Sequence, residues 1–167
     1  MVEALLGFGG NIGDVRTALE EAVALFADGT DVILRSASHH YRTPPWGVLN
    51  QPHFINMAIV VDTTLSPRAL LERAMNVERA FDRDRYREKR WGPRPIDIDL
   101  LAYDDLVMDE PGLTLPHPRM FERAFVLMPL NEIVPGRTVG GRNIKQALAQ
   151  VDDRGIERLP PLKPHAP

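Results

Sequence analysis

The strongest β-strand pattern in the chain is Phe54-Ile55-Asn56-Met57-Ala58-Ile59-Val60-Val61-Asp62. Successive side chains of a strand point to opposite faces. One face therefore carries Phe54, Asn56, Ala58 and Val60, and the other carries Ile55, Met57, Ile59 and Val61. Asn56 lies among apolar residues, so if buried it needs hydrogen-bond partners, either from an internal network or from a polar substrate.

The fold class follows from the elements around this strand. We expect further strands over residues 3–8, 32–37 and 96–103, and a partner strand over 106–108. Helices are predicted over residues 15–26, from the N-cap Ser66 and Pro67 to about Phe81, over 119–128 with Pro129 as the stop, and from the N-cap Asn143 to about Val151. Because no helix separates strands 32–37 and 54–62, the sheet is at least partly antiparallel. The order predicts an α+β fold of the ferredoxin-like kind, with a largely antiparallel sheet packed with helices.

Length and composition narrow the class of protein. A chain of 167 residues, 44% hydrophobic and 26% charged, is typical of one soluble domain. We expect that domain over residues 1–158, followed by a proline-rich tail over 159–167. The absence of cysteine excludes disulfides, iron–sulfur clusters, a cysteine nucleophile and thiolate zinc sites, and it suits a reducing compartment.

Charge and hydropathy narrow the partners. A net charge of −3 argues against a protein that coats nucleic acid. The apolar stretches 55–61, which Asn56 interrupts, and 124–128 fall far short of the ~20 residues of a membrane span. Residues 1–13 lack the cationic start of a signal peptide. We therefore expect a cytoplasmic monomer with no nucleic-acid or membrane partner.

Asp97 and Asp99 are the first candidates for chemistry. On one strand their carboxylates point to the same face, with Cα atoms ~6.5 Å apart. Such a pair can share hard cations and favours magnesium, especially where substrate phosphates complete the coordination shell. An isolated D-x-D is also common on a solvated strand face, so both interpretations remain open for these two residues alone.

Positive charge immediately precedes the two aspartates. The predicted loop over residues 83–94 carries Arg83, Arg85, Arg87, Lys89, Arg90 and Arg94 around Trp91. Arginine binds phosphate bidentately, and metal ions together with arginine recur in phosphoryl transfer. A charge run by itself is usually solvated surface, but cations gathered beside an acid pair suggest a polyphosphate that bridges the two.

A glycine-rich turn and one histidine are weaker signals. The turn Gly7-Phe8-Gly9-Gly10-Asn11-Ile12-Gly13-Asp14 fails the G-x-G-x-x-G spacing, and no G-K-[ST] follows it. It is either only a tight turn or a phosphate cradle. His117 lies between Pro116 and Pro118, which hold it rigidly, either as a structural histidine or as a phosphate contact.

Five segments occur along the chain in a recognisable order. They are Gly9-Gly10-Asn11-Ile12-Gly13-Asp14, Tyr41-Arg42-Thr43-Pro44-Pro45, Phe54-Ile55-Asn56, Arg90-Trp91-Gly92-Pro93-Arg94-Pro95-Ile96-Asp97-Ile98-Asp99, and Pro116-His117-Pro118-Arg119 through Arg123-Ala124-Phe125-Val126-Leu127. Together they resemble the 6-hydroxymethyl-7,8-dihydropterin pyrophosphokinase family of folate synthesis. The resemblance extends from about residue 3 to 150, and its R-W-G-P-R-x-I-D-x-D string is highly specific.

The resemblance implies an activity and a set of site residues. The expected reaction moves diphosphate from ATP to the hydroxymethyl group of the pterin and releases AMP, with two Mg²⁺ ions bound together with ATP. The implied catalytic residues are Asp97, Asp99, Arg83 and Arg94, of which Asp97 and Asp99 hold the metal. The implied ATP contacts are Glu78, Arg83, Arg85, Arg90, Arg94, Leu100, His117 and Arg123. The implied pterin contacts are Gly9, Thr43, Pro44, Pro45, Trp46, Phe54, Asn56, Trp91, Asp97 and Phe125.

The chain departs from the family pattern at a few positions. Gly10 replaces a usual serine, Asp82 a usual glycine, Phe121 a common histidine, and Trp46 an often aliphatic residue, while Phe54 replaces a frequent tyrosine but keeps the ring. These departures bear on individual contacts rather than on the reaction.

Two other classes of protein fit the sequence less well. A module that binds single-stranded RNA is opposed by the acidic charge and by the absence of a paired aromatic signature. A purely structural domain has no need of an acid pair beside arginines. AMP production from ATP and pterin, compared with retention on RNA, distinguishes these classes.

Overall fold

The computed structural model describes residues 1–45, 50–81 and 95–162. The strands are β1 Val2–Gly10, β2 Val32–Ala37, β3 Tyr41–Thr43, β4 Phe54–Thr63, β5 Asp97–Tyr103, β6 Met108–Glu110, β7 Leu113–Leu115, β8 Thr138–Val139, β9 Arg142–Asn143 and β10 Glu157–Arg158. The helices are α1 Val15–Phe26, α2 Pro67–Ala80, α3 Ala124–Ile133 and α4 Ile144–Leu148, with a short 3₁₀ helix over Met120–Glu122.

The central strand of the main sheet is β4. It pairs with β1 along its whole length, from Gly10 opposite Ile55 to Val2 opposite Thr63. On its other side, β3 pairs with the beginning of β4 and β2 with the end. The strand β5 pairs with β1, and β10 pairs with β3. All of these pairs are antiparallel, which confirms the predicted antiparallel sheet.

Both faces of β4 are buried, each in its own core. Met57, Ile59 and Val61 pack with α1 and α2, whereas Ala58 and Val60 pack with α3 and α4. The predicted starts of α1 and α2 hold, since Asp14 accepts a hydrogen bond from the Thr17 N–H and Ser66 from the Ala69 N–H. Helices pack on both faces of the sheet. On the face that packs with α3, the sheet stays open at the beginning of β4.

Two predictions about secondary structure near the site are wrong. The first strand does not end at residue 8 but continues to Gly10, so Gly9 and Gly10 pair with β4 rather than forming a turn. The third helix begins at Ala124 and runs through Pro129 to Ile133. Pro129 is buried, and its neighbour Leu130 belongs to the α3 core. Burial of the proline ring offsets the one backbone hydrogen bond that proline cannot donate.

The chain after β5 also differs from expectation. Residues 106–108 do not pair with β5; instead β6 pairs with β7 across the turn at Pro111 and Gly112, where Gly112 has φ +77°. A proline followed by a glycine with positive φ is typical of a type II turn. The last helix is capped by Asn143, as expected, but ends at Leu148 rather than near residue 151.

Three short strand pairings lie outside the sequence prediction. The strand β3 lies between the predicted strands 32–37 and 54–62, β8 and β9 form a hairpin over residues 138–143, and β10 lies immediately before the expected tail. The first residues of that tail are held to the domain, because the Leu159 N–H donates to the His40 carbonyl at 2.8 Å and Arg16 binds the Pro160 carbonyl.

Candidate active site

The strand register aligns four residues across the sheet. Asp97 on β5 faces Gly9 on β1, Gly9 faces Asn56 on β4, and Asn56 faces Tyr41 on β3. Directly opposed residues of antiparallel strands point to the same face. On that face a pocket opens between the sheet and α3. It brings together the predicted site residues Gly9, Thr43, Pro44, Phe54, Asn56, Asp97, Asp99, Arg123 and Phe125.

The two carboxylates lie beside glycines. Asp97 is opposite Gly9 and Asp99 is opposite Gly7, so the neighbouring strand presents no side chain to either acid. Both aspartates are half-buried and line the same pocket. Within the described residues, no cluster of three or more His, Asp or Glu side chains is placed to hold a metal ion. Two carboxylates on an open floor suit a magnesium ion that takes its remaining ligands from substrate phosphate and water.

Asn56 is held by its neighbours on both sides. A Cβ at residue 9 would overlap the side-chain oxygen of Asn56, so only glycine at this position leaves room for the amide. The amide nitrogen donates to the Thr43 hydroxyl at 2.9 Å, and that hydroxyl lies 3.4 Å from the Phe54 carbonyl oxygen. The interpretation of Asn56 as part of an internal network is confirmed for its nitrogen.

Two aromatic rings line the pocket. Phe54 comes from the beginning of β4 and Phe125 from the first turn of α3, and both are only half-buried. A purely structural phenylalanine is usually fully buried. The guanidinium of Arg123 lies 5.5 Å from the centre of the Phe125 ring. The pocket therefore combines aromatic surface, one amide and two acids, which suits a flat polar heterocycle.

Arg123 and His117 lie near the two acids. Burial lowers the pKa of Arg123, while the nearby Asp99 and Asp97 oppose this shift. Burial, together with Arg123 and Arg119, also lowers the pKa of His117. The Nδ1 atom of His117 accepts the Arg119 backbone N–H at 3.2 Å, which leaves its proton on Nε2 when the ring is neutral. His117 is thus positioned as a neutral donor near the acids.

Glu78 and Leu100 are placed away from this pocket. The Glu78 carboxylate is buried under β5 and accepts the Ile98 N–H at 2.9 Å, between the two aspartates. This bond fixes the backbone that carries Asp97 and Asp99. The Leu100 side chain packs in the α1–α2 core. Contacts of these two residues with ATP stay predictions.

Other predicted residues fall elsewhere. Pro45 lines a second cavity, which adjoins the pocket at Thr43 and Pro44. Gly10 pairs with Ile55, and the Phe121 ring lies 4.6 Å from the guanidinium carbon of Arg142. Several residues that the sequence analysis singled out lie outside the described residues. They are Trp46, Asp82, Arg83, Arg85, Arg87, Lys89, Arg90, Trp91 and Arg94.

Sequence reasoning missed several residues that line the pocket. Gly7, Ala58 and Leu101 lie two residues from Gly9, Asn56 and Asp99 respectively, and they share the pocket with them. The alternation of strand side chains could have found all three. Val126 follows Phe125 on α3, and no pattern in the sequence singled it out.

The family model of 7,8-dihydro-6-hydroxymethylpterin-pyrophosphokinase (HPPK) matches residues 5–135. Two curated relatives carry the name 2-amino-4-hydroxy-6-hydroxymethyldihydropteridine pyrophosphokinase. The one from Methylorubrum extorquens is 48% identical over 161 residues, covering 95% of this chain and 99% of the relative. The one from Bacillus subtilis is 43% identical over 130 residues, covering 78% and 77%.

Solved structures show the same fold. The chain of a Plasmodium falciparum HPPK-DHPS crystal structure with SDX-DHP matches with a TM-score of 0.67 at 14% identity, covering 90% of this chain. An HPPK-DHPS structure in complex with substrates matches with a TM-score of 0.69 at 15% identity. This chain spans 43% and 44% of those two longer chains. At such identities the likeness concerns the fold, and it confirms the ferredoxin-like α+β architecture.

The fold and the acid-and-aromatic pocket define an enzyme of the diphosphotransferase class. The chain belongs to the HPPK family. The predicted family, enzyme class and role in folate biosynthesis are thereby confirmed. Within the part of the chain that the structure describes, no helix is long and apolar enough to cross a membrane.

Proposed function

We propose that this chain transfers the terminal diphosphate of ATP to the hydroxymethyl group of 6-hydroxymethyl-7,8-dihydropterin. In this step the pterin hydroxyl oxygen forms a bond to the β-phosphorus of ATP. The bond between the β-phosphorus and the oxygen that bridges it to the α-phosphorus breaks, AMP leaves with that oxygen, and the hydroxyl proton is released. The observation that carries the proposal is one pocket in which Asn56 and two rings adjoin Asp97 and Asp99.

The heterocycle is bound by the aromatic side of the pocket. Phe54 and Phe125 offer ring surface. The Asn56 oxygen lies over Gly9, which also lines the pocket, while the Asn56 nitrogen donates to Thr43. An amide whose orientation is already fixed distinguishes hydrogen-bond donors on the edge of a heterocycle from acceptors. Because its rotamer is fixed before binding, binding costs it no further side-chain entropy. Pro44 closes the same side of the pocket.

Asp97 and Asp99 suit magnesium that arrives with ATP. When bound, magnesium neutralises phosphate charge and orients the transferring group. We propose two ions, on the basis of the family resemblance and of two carboxylates that share one face. Asp97 lies closer than Asp99 to Asn56 along the sheet, because only Gly9 separates the two residues. Asp97 is therefore the carboxylate placed to accept the hydroxyl proton.

The phosphates are bound by cationic side chains and by a hydrogen-bond donor. Arg123 keeps its charge near the two acids, and the neutral His117 donates from Nε2. We assign further phosphate contacts to Arg83, Arg85, Arg90 and Arg94 and a pterin contact to Trp91 from the family resemblance. Neutralising charge that spreads over the phosphates is the main requirement of a loose phosphoryl transfer.

The reaction is tested by its products. Purified protein is incubated with ATP, Mg²⁺ and 6-hydroxymethyl-7,8-dihydropterin, and nucleotides are separated by chromatography. We expect AMP and the pterin diphosphate in equal amounts, and no AMP when the pterin is omitted. Formation of ADP, or AMP that is independent of pterin, would overturn the proposal. Retention on an RNA column without AMP formation would favour the RNA-binding class instead.

We further propose that the protein acts as a monomer in the cytoplasm. The absence of cysteine suits a reducing compartment. Light scattering during size-exclusion chromatography tests the oligomeric state, and a mass of twice 18.8 kDa would contradict a monomer.

A further inference from the structure

The segment after α4 lies against the side of the pocket that carries Thr43 and Pro44. Its strand β10 pairs with β3, with Glu157 opposite Arg42 and Arg158 opposite Tyr41. The strand β3 is thereby an internal strand, with β4 on one side and β10 on the other. The end of the chain thus reaches the strand that supplies the hydroxyl partner of Asn56.

One glycine of this segment lies against Pro44, which lines the pocket. Gly155 has φ +81°, a left-handed conformation that L-residues rarely adopt. A Cβ added at Gly155 would lie 3.0 Å from Cγ of Pro44 and 3.8 Å from its Cδ. The first distance is shorter than an ordinary carbon–carbon contact, which is ~3.5–4.0 Å. Gly155 therefore lets the backbone approach the proline ring more closely than any other residue would.

The turn that holds Gly155 is fixed by its own hydrogen bonds. Asp152 accepts the Arg154 backbone N–H at 3.0 Å and two guanidinium bonds at 2.9 and 2.8 Å. The Ile156 N–H donates to the Asp153 carbonyl at 3.3 Å. Beyond it, β10 and the bond from Leu159 to His40 tie the segment down. The turn is anchored on both sides of the glycine.

From these contacts we infer that Gly155 is a positioning residue for the heterocycle pocket, acting through Pro44. The inference rests on the proposed function, because it assigns the pterin to the pocket beside Pro44. The proline ring has few ways to yield, since its φ is fixed and the residue before it, Thr43, is held in β3 and bonded to Asn56. Pressure on Pro44 is passed to the pocket rather than absorbed. Arg123 and His117, which we assign to the phosphates, are not part of this contact.

The test compares two glycines with the same backbone conformation. Gly29 has φ +83°, and among the described residues an added Cβ there meets no atom within 4 Å. It precedes β2, whose first residue Val32 faces Thr63 at the far end of β4. Gly155→Ala and Gly29→Ala therefore carry the same backbone strain, and we expect each to lower Tm by roughly 3–6 °C. Only Gly155→Ala presses on Pro44.

Calorimetric titration provides the readout. We expect Gly155→Ala to raise the pterin Kd about tenfold, measured with Mg²⁺ and a non-hydrolysable ATP analogue present. The free-energy cost of overpacking at a rigid contact typically corresponds to a change of about this size in Kd. Its Kd for the ATP analogue, and both Kd values of Gly29→Ala, should stay within about twofold of wild type. If Gly155→Ala fails to fold, the pair Gly155→Asn and Gly29→Asn replaces it, since asparagine tolerates positive φ.

The route through Pro44 is tested by a double-mutant cycle. In a Pro44→Ala background the added methyl group at residue 155 has no ring atom to meet, so its effect on the pterin Kd should fall to twofold or less. Equal pterin Kd values for Gly155→Ala and Gly29→Ala, or additive effects in the cycle, would overturn the inference. A wild-type protein that does not bind the pterin would overturn the proposed function instead.

Discussion

The side-chain oxygen of Asn56 occupies the space that a Cβ at Gly9 would fill. The two residues are direct partners on β4 and β1, and Asp97 is the partner of Gly9 on its other side. A residue without a side chain therefore separates the amide from the carboxylate. This arrangement leaves the floor of the pocket open between the amide that we propose binds the heterocycle and the carboxylate that we propose binds magnesium.

Gly9→Ala should disable the heterocycle site by displacing the Asn56 amide. The added methyl group overlaps the amide oxygen, and the Asn56 backbone cannot retreat because it is paired on both sides. We expect the pterin Kd to rise by at least about tenfold, since the amide must leave its bond to Thr43. Titration with pterin in the presence of an ATP analogue measures this.

Gly7→Ala is the matched comparison. Gly7 lies on the same strand and faces the same pocket. Of the atoms that the structure describes, its added Cβ would meet only Cδ1 of Leu101, at an ordinary 3.6 Å. Its effect on the pterin Kd should be several times smaller than that of Gly9→Ala. Similar losses for the two variants would show that any side chain on this strand is harmful, and that the overlap with Asn56 is not the cause.

Asn56→Ala separates a binding role from a structural one. Asn56 is half-buried and donates to Thr43, so removing it leaves the Thr43 hydroxyl still close to the Phe54 carbonyl. We expect pterin binding to weaken by about 1–3 kcal/mol, with little change in the free energy of unfolding. Thr43→Ser, which keeps the hydroxyl, should bind more tightly than Thr43→Val. A normal pterin Kd for folded Asn56→Ala would remove this residue from the site.

The sequence predicted which side chains share a face of a strand, but not which residues of neighbouring strands lie opposite them. Alternation placed Phe54 and Asn56 on one face, yet only the register shows that Gly9 lies opposite Asn56. Glycine is unfavourable in strands, so propensity assigned Gly9 to a turn. The reason for glycine there is the side chain of a residue 47 positions later, at 56 compared with 9, and local patterns do not contain such a contact.

The same limit applies to Pro129 and to β10. A proline normally ends a helix, and the burial that keeps Pro129 inside α3 depends on the whole core. The strand β10 has two residues and no periodicity, and its partner Arg42 lies far away in sequence. By contrast, the starts of α1, α2 and α4 depend on Asp14, Ser66 and Asn143, and local capping chemistry made two of those starts predictable from sequence.

Asp97→Asn and Asp99→Asn should each abolish most of the turnover while the protein stays folded. Each substitution replaces a carboxylate by a neutral amide of nearly the same volume. We expect kcat to fall by about 10²–10⁴-fold, since loss of charge stabilisation in phosphoryl transfer is worth several kcal/mol. Steady-state AMP production measures kcat, and circular dichroism checks the fold.

Asp105→Asn provides the control for those two variants. Asp105 is exposed in the turn that follows β5 and does not line the pocket. It changes net charge by the same amount, so its kcat should stay within about twofold of wild type. Near-normal turnover for either Asp97→Asn or Asp99→Asn would remove that residue from the proposed metal site.

Glu132 joins α3, which carries Phe125, to β3, which carries Thr43. Its carboxylate accepts the Tyr41 hydroxyl at 2.7 Å and the His39 backbone N–H at 3.0 Å, and it lies 2.9 Å from His39 Nδ1 and 4.0 Å from the Arg158 guanidinium. Burial opposes the charge on Glu132, but the bonds from Tyr41 and His39 outweigh it and lower its pKa below the ordinary 4.5. Burial raises the pKa of Tyr41, so its hydroxyl remains a donor.

This pKa predicts how stability depends on pH. A carboxyl whose pKa is lower in the folded protein stabilises the fold fully above its unfolded pKa, and this contribution is lost as the pH falls through the folded value. At pH 7 we expect Glu132→Gln to lower the free energy of unfolding by about 1.5–3 kcal/mol, as for hydrogen bonds to a charged group. As the pH falls below 4.5, the difference between wild type and Glu132→Gln should shrink. Tyr41→Phe removes one of the hydrogen-bond donors to Glu132. Its free energy of unfolding should therefore lie between those of wild type and Glu132→Gln. Urea unfolding of all three from pH 7 to pH 3 measures the difference, and a gap that stays constant over this range would show that the charge of Glu132 does not hold β3 to α3.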